Sequence, residues 1–144
     1  MLFAILLILH FIGLALGVGT GFAMMTLGKA SADLPPEERT KFMLRATALA
    51  KNGSIGLTLL ILSGLGMLVV RGFGTMFKLG GGAFHAKLTL VLIMAGLLGY
   101  MQVTLKKVRE AGGGPLMAKL PKLGGAMLLL GLTSIVLAVV AFEL

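Results

Sequence analysis

Apolar positions in this chain gather into four long runs, Leu2–Gly28, Asn52–Val70, Leu88–Leu105 (extendable back to Phe84) and Leu123–Phe142, with the charged residues confined to the stretches between them. A hydrocarbon core is crossed by about 20 apolar residues rising 1.5 Å each, and every run is close to that length. Backbone amides in lipid must be paired within their own segment, so each run is expected to be an α-helix. The pattern predicts an all-α polytopic membrane protein. It is a four-transmembrane-helix bundle in a single domain over residues 1–144, with spans at about 2–28, 52–70, 84–105 and 123–142.

The connecting stretches carry their own signals. Asp33-Leu34-Pro35-Pro36-Glu37-Glu38 reads as a helix start, because proline suits a first turn and carboxylates there complement the helix dipole. A helix from near Pro36 is expected to run along the inner interface through Phe42, Leu44 and Leu49, then bend at Asn52-Gly53-Ser54 into the second span. Phe73, Phe77 and Phe84 stand among glycines in the short second connection, as in a segment resting in the membrane interface. Gly112-Gly113-Gly114-Pro115 is a break before the last helix.

Composition reinforces this class. With 58% hydrophobic and 12% charged residues and a mean hydropathy of +1.05, a small soluble domain is excluded. The net charge of +8 is an orientation signal. Lys29, Arg39, Lys41, Arg45 and Lys51 precede span two, and Lys106, Lys107, Arg109, Lys119 and Lys122 precede span four. Only Arg71, Lys78 and Lys87 lie on the other side. Basic residues favour the cytoplasmic side, which predicts both termini outside (periplasmic), in a bacterial inner membrane. The same charges make membrane lipid the expected partner and exclude nucleic acid. Without cysteine there is no disulfide, thiolate metal site or covalent haem attachment. Ala30-Ser31-Ala32 matches a signal-peptide cleavage pattern. The preceding apolar run is too long, and no basic segment leads it, so the first helix is expected to be retained.

Candidate chemistry rests on the two histidines, His10 and His85. An imidazole in hydrocarbon is costly without a partner and is a functional candidate by default. At 100° per residue, Gly17 and Gly21 fall within about 20° of His10, Gly28 is aligned, and Met24 lies about 40° away. His85 shares its stripe with Thr89, Leu92, Gly96, Gly99 and Val103. Arg45, Asn52, Gly56 and Ser63 share a face of span two, and Gly124, Gly131 and Ala138 a face of span four. These stripes are expected to converge on one interior. On one reading the glycines serve close helix packing and His10 bonds a neighbouring carbonyl or hydroxyl. On the other, His10 and His85 are axial metal ligands of a haem b, with Lys87 and Arg45 as further cofactor-binding candidates. The two histidines stand roughly 8 Å apart in depth, which tilt partly offsets. Lys87 lies about 160° from His85, as in a lysine snorkelling from a lipid-facing stripe. An irregular start after Gly80-Gly81-Gly82 would instead swing it inward, towards an anion such as a propionate. Met24, Met25, Met94 and Met101 with His10 offer a weaker alternative, passage of copper, since thioether and imidazole bind Cu(I). Asp33, Glu37, Glu38, Glu110 and Glu143 all lie outside the spans, leaving no acid for an intramembrane proton relay.

At Leu9-His10-Phe11-Ile12-Gly13, Phe84-His85-Ala86-Lys87-Leu88 and the basic stretch Arg39–Arg45, the chain resembles the HemJ type of protoporphyrinogen oxidase and the related CopD-like four-helix bacterial membrane proteins. The resemblance implies a haem b-binding bundle that oxidises protoporphyrinogen IX, with His10, His85 and Lys87 functional. The chain departs from that pattern in two places: Thr20–Met24 carries no arginine, and tryptophan is absent. These departures bear on the oxidase reaction more than on fold or haem binding. The expected function is therefore a haem b redox protein, an oxidoreductase in the oxidase-like case. The alternatives are a non-catalytic accessory subunit of a larger membrane complex, a homo-oligomer, or a copper-transport protein.

Overall fold

The computed structural model describes residues 1–143, with side chains to Ala141. Its elements are α1 (Leu2–Ala30), α2 (Pro36–Ala46), a 3₁₀ turn (Thr47–Leu49), α3 (Ala50–Arg71), α4 (Phe73–Ala111), a second 3₁₀ turn (Pro115–Ala118) and α5 (Lys119–Glu143). Among the described residues, four helical stretches are long and apolar enough to cross a membrane: Leu2–Ala30, Pro36–Arg71, Phe73–Ala111 and Pro115–Ala141. The protein is an all-α, four-helix, multi-pass membrane bundle. Its outer faces fit that solvent, for Ile8, Leu62, Val103 and Leu129 are 58%, 62%, 54% and 67% exposed. Side chains of that kind spread over every helix would form a far larger apolar surface than a water-soluble monomer carries.

Local chemistry explains the element ends. Pro36 takes the first turn of α2, with Glu37 and Glu38 beside it at the positive end of the dipole. Asn52-Gly53-Ser54 lie in regular helix, and the irregularity before the second span is instead a 3₁₀ turn at Thr47–Leu49. There the Thr47 hydroxyl donates to the Leu44 carbonyl and accepts from Arg109 Nε at 3.1 Å, so a side chain of α4 is wedged against the turn. The connection expected as an interfacial loop is instead helical. Only Gly72 separates α3 from α4, and the irregularity sits at Gly81, where φ is 50° and ψ is −149°. A Cβ disfavours that backbone region, so the glycine lets α4 break into a short leading segment, 73–80, and a long one from 82 onward.

Packing is pairwise. α1 lies against α3 along most of its length, α5 against α4, and α1 touches α5, whereas α3 and α4 meet only sparsely. The α1–α3 approach is set by glycine. A Cβ on Gly56 would stand 2.6 Å from the Gly17 nitrogen and 2.7 Å from the Gly13 oxygen, so only hydrogen fits at the crossing. α3 and α4 are tied at one end by Arg109 to Thr47 and by Gln102, whose amide donates to the Ser54 hydroxyl. At the other end Leu68, Met76 and Phe84 form a small buried cluster with Phe77, Leu88 and Ala141 packed on it. Between these closures the two helix pairs stand apart.

Candidate functional site: a methionine-walled cleft with one histidine

The space between the α1–α3 and α4–α5 pairs is a continuous cleft of ≈ 1970 Å³. A pocket for one cofactor-sized ligand is typically about 300–1,000 Å³, so this one is oversized for a single guest. Its wall is overwhelmingly apolar. Apart from Met1, every methionine of the chain contributes to it. Leu65 of α3 and Leu92 of α4 border the cleft while remaining 49% and 74% exposed, which marks an opening on the side where those helices barely touch.

His10 reaches the cleft from α1, two turns into the span. Its Nδ1 lies 2.9 Å from the Ser63 hydroxyl on α3, and the hydroxyl also contacts the Leu59 carbonyl one turn back. A hydroxyl has one proton and a carbonyl can only accept, so Ser63 donates to Leu59 and the ring donates from Nδ1. A neutral imidazole donating from Nδ1 keeps its Nε2 lone pair for another partner. The small residues predicted below it, Gly17, Gly21 and Gly28, line the same cleft, as do Gly124, Gly131 and Ala138 of α5. The hydroxyl partner expected on the packing reading is therefore present, and it also poises the ring for a ligand.

The remaining candidates separate. Lys87 lines the cleft and is half-buried. Its stripe of Val91, Met94, Leu98 and Met101 forms the cleft wall of α4, so it is an interior stripe and not a lipid-facing one. His85 does not line the cleft. It is exposed, its Nδ1 donates to the Gly81 carbonyl at 2.7 Å, and its ring leans on Phe77 with centroids 4.9 Å apart. Of its predicted stripe only Leu92 borders the cleft, whereas Thr89, Gly96, Gly99 and Val103 are exposed and lie outside it. Glycine had marked the wrong face of α4, because the cleft there is walled by methionine and leucine. Arg45 and Asn52 are also exposed and outside the cleft, leaving Gly56 and Ser63 as the inward part of their predicted stripe.

Arg71, at the end of α3, escaped the sequence reading. It borders the cleft at the His10 end, with its guanidinium 4.2 Å from the centroid of the Phe3 ring. Its place at the terminus of an apolar run made it look like an orientation charge alone. Among the described residues no group of three or more His, Cys, Asp or Glu side chains could hold a metal ion, so a metal here would depend on His10 with non-protein or thioether donors. The chain matches no protein-family model, no curated protein and no solved structure.

Proposed function

We propose that the protein is a haem b-binding redox protein of the membrane in which His10 would be the one imidazole holding the iron. The observation that carries the reading is the His10–Ser63 bond, which fixes the Nδ1–H tautomer and leaves Nε2 free at an apolar cleft. Metal-bound histidines commonly have their second nitrogen anchored in this way. The donor set fits haem, for iron takes neutral imidazole, and Lys87 and Arg71 at the same end offer cationic partners for two propionates. When bound, the group supplies one-electron exchange at iron. The chain orients the ligand through Ser63, neutralises anionic edges through Lys87 and Arg71, and keeps water away with its apolar wall. Oxidation of protoporphyrinogen, implied by the sequence resemblance, is the first reaction to assay. His85 has no part in this arrangement.

Purification after expression with ample haem supply is expected to give a Soret band. His10→Ala should abolish it, and His85→Ala should leave its position and intensity unchanged. A colourless protein overturns the reading.

A second reading, a subunit of a larger membrane complex or a homo-oligomer, draws on the outward face of α4, where Gly96 is exposed with no neighbour within 4 Å of an added Cβ. Small residues on a lipid-facing surface allow close helix approach. Gly96→Leu should then dissociate an assembly, seen as a change of mass in native mass spectrometry, without altering absorbance. Copper passage rests on the methionine wall. It predicts copper-dependent growth differences that disappear with His10→Ala.

A further inference from the structure

The end of the cleft remote from His10 is open to a different guest. Lys29, at the close of α1, and Arg39, in α2, border it there together with Thr40, Gly114 and Met117. Neither cationic side chain has a hydrogen bond or ion pair among the described residues; the two salt bridges are Lys41–Glu37 and Lys106–Glu110. Asp33, Glu37 and Glu38, on the same side, do not border the cleft. Nineteen residues of α1 separate His10 from Lys29, about 28 Å at 1.5 Å per residue. That is close to the full hydrocarbon thickness of about 30 Å, so one guest at His10 cannot be read by Lys29.

We infer that this end binds an anionic phospholipid of the adjacent leaflet, its phosphate between Lys29 and Arg39 and its acyl chains lying on Met24, Met25, Met127 and Leu128. Three observations converge on that occupant. The charge is complementary, and basic pockets between membrane helices are recognised headgroup sites. The wall is methionine-rich, an adaptable surface suited to flexible hydrocarbon. The depth also fits. Acyl chains reaching the bilayer midplane extend about 15 Å, which from Lys29 ends near Gly19 and leaves the His10 half free. The inference does not depend on haem, and its test has no absorbance readout.

The delipidated protein is mixed with equal amounts of phosphatidylglycerol and phosphatidylcholine of matched chains and examined by native mass spectrometry. Preferential retention of phosphatidylglycerol, at least fivefold, is expected. The K29Q/R39Q double variant should lose that preference. K107Q/K122Q removes two exposed charges that do not border the cleft and should keep it. Gly124→Phe should lower retention of both lipids, since Gly124 borders the cleft and a Cβ there meets nothing within 4 Å. Equal retention of the two lipids, or equal loss in both charge variants, would overturn the assignment.

Discussion

His10 and Ser63 are 53 positions apart in sequence and 2.9 Å apart in space, and their bond decides which nitrogen of the ring is available. Removing the hydroxyl keeps the imidazole but frees it to turn or to change tautomer. On the proposed haem site, Ser63→Ala is expected to weaken haem retention by about 10- to 100-fold, the usual cost of losing such an anchor. Titration of the apoprotein with haem would measure this, and an unchanged affinity would remove Ser63 from the argument. Serine on the predicted inner face of span two was legible from periodicity. Its pairing with His10 was not, because that depends on the height at which two helices cross, which no single-helix pattern encodes.

Between helices, glycines of equal appearance in the sequence do unequal work. Gly56→Ala must push the α1 backbone away and is expected to cost about 1–3 kcal/mol, as overpacking does. Gly17→Ala, whose added Cβ meets nothing within 4 Å, should be neutral or slightly stabilising. Unfolding in mixed micelles would compare the two, and equal effects would contradict the crossing geometry. Gly81→Ala has open space around it, so its penalty is purely conformational, about 1–3 kcal/mol. It should also straighten α4 enough to withdraw Lys87 from the cleft. A variant as stable as the parent would show that the break does not require glycine. Span number, helix type and the inward face of α1 could be read from periodicity alone. The inward face of α4 could not, since glycine on a membrane helix serves lipid-facing and buried surfaces alike, and the long methionine stripe had no polar residue to identify it as interior.

For the molecule as a whole, the distribution of basic residues predicts an orientation in the bilayer. The ends of the α3–α4 and α4–α5 connections should lie on opposite sides, with the Lys29–Arg39 mouth cytoplasmic. Because the chain lacks cysteine, T75C and A111C each introduce a lone thiol into an exposed position without background. A membrane-impermeant maleimide added to intact cells should label T75C and spare A111C; the reverse would invert the molecule.

The sparse seam between α3 and α4 has a practical corollary for any guest. Entry by way of Leu65 and Leu92 means arrival by diffusion within the plane of the bilayer, so occupancy follows the mole fraction of the compound among the lipids. Affinities measured in micelles will then scale with detergent amount, and dilution into buffer alone will scarcely release what is bound. Data taken at several protein-to-lipid ratios should superimpose once plotted against that mole fraction.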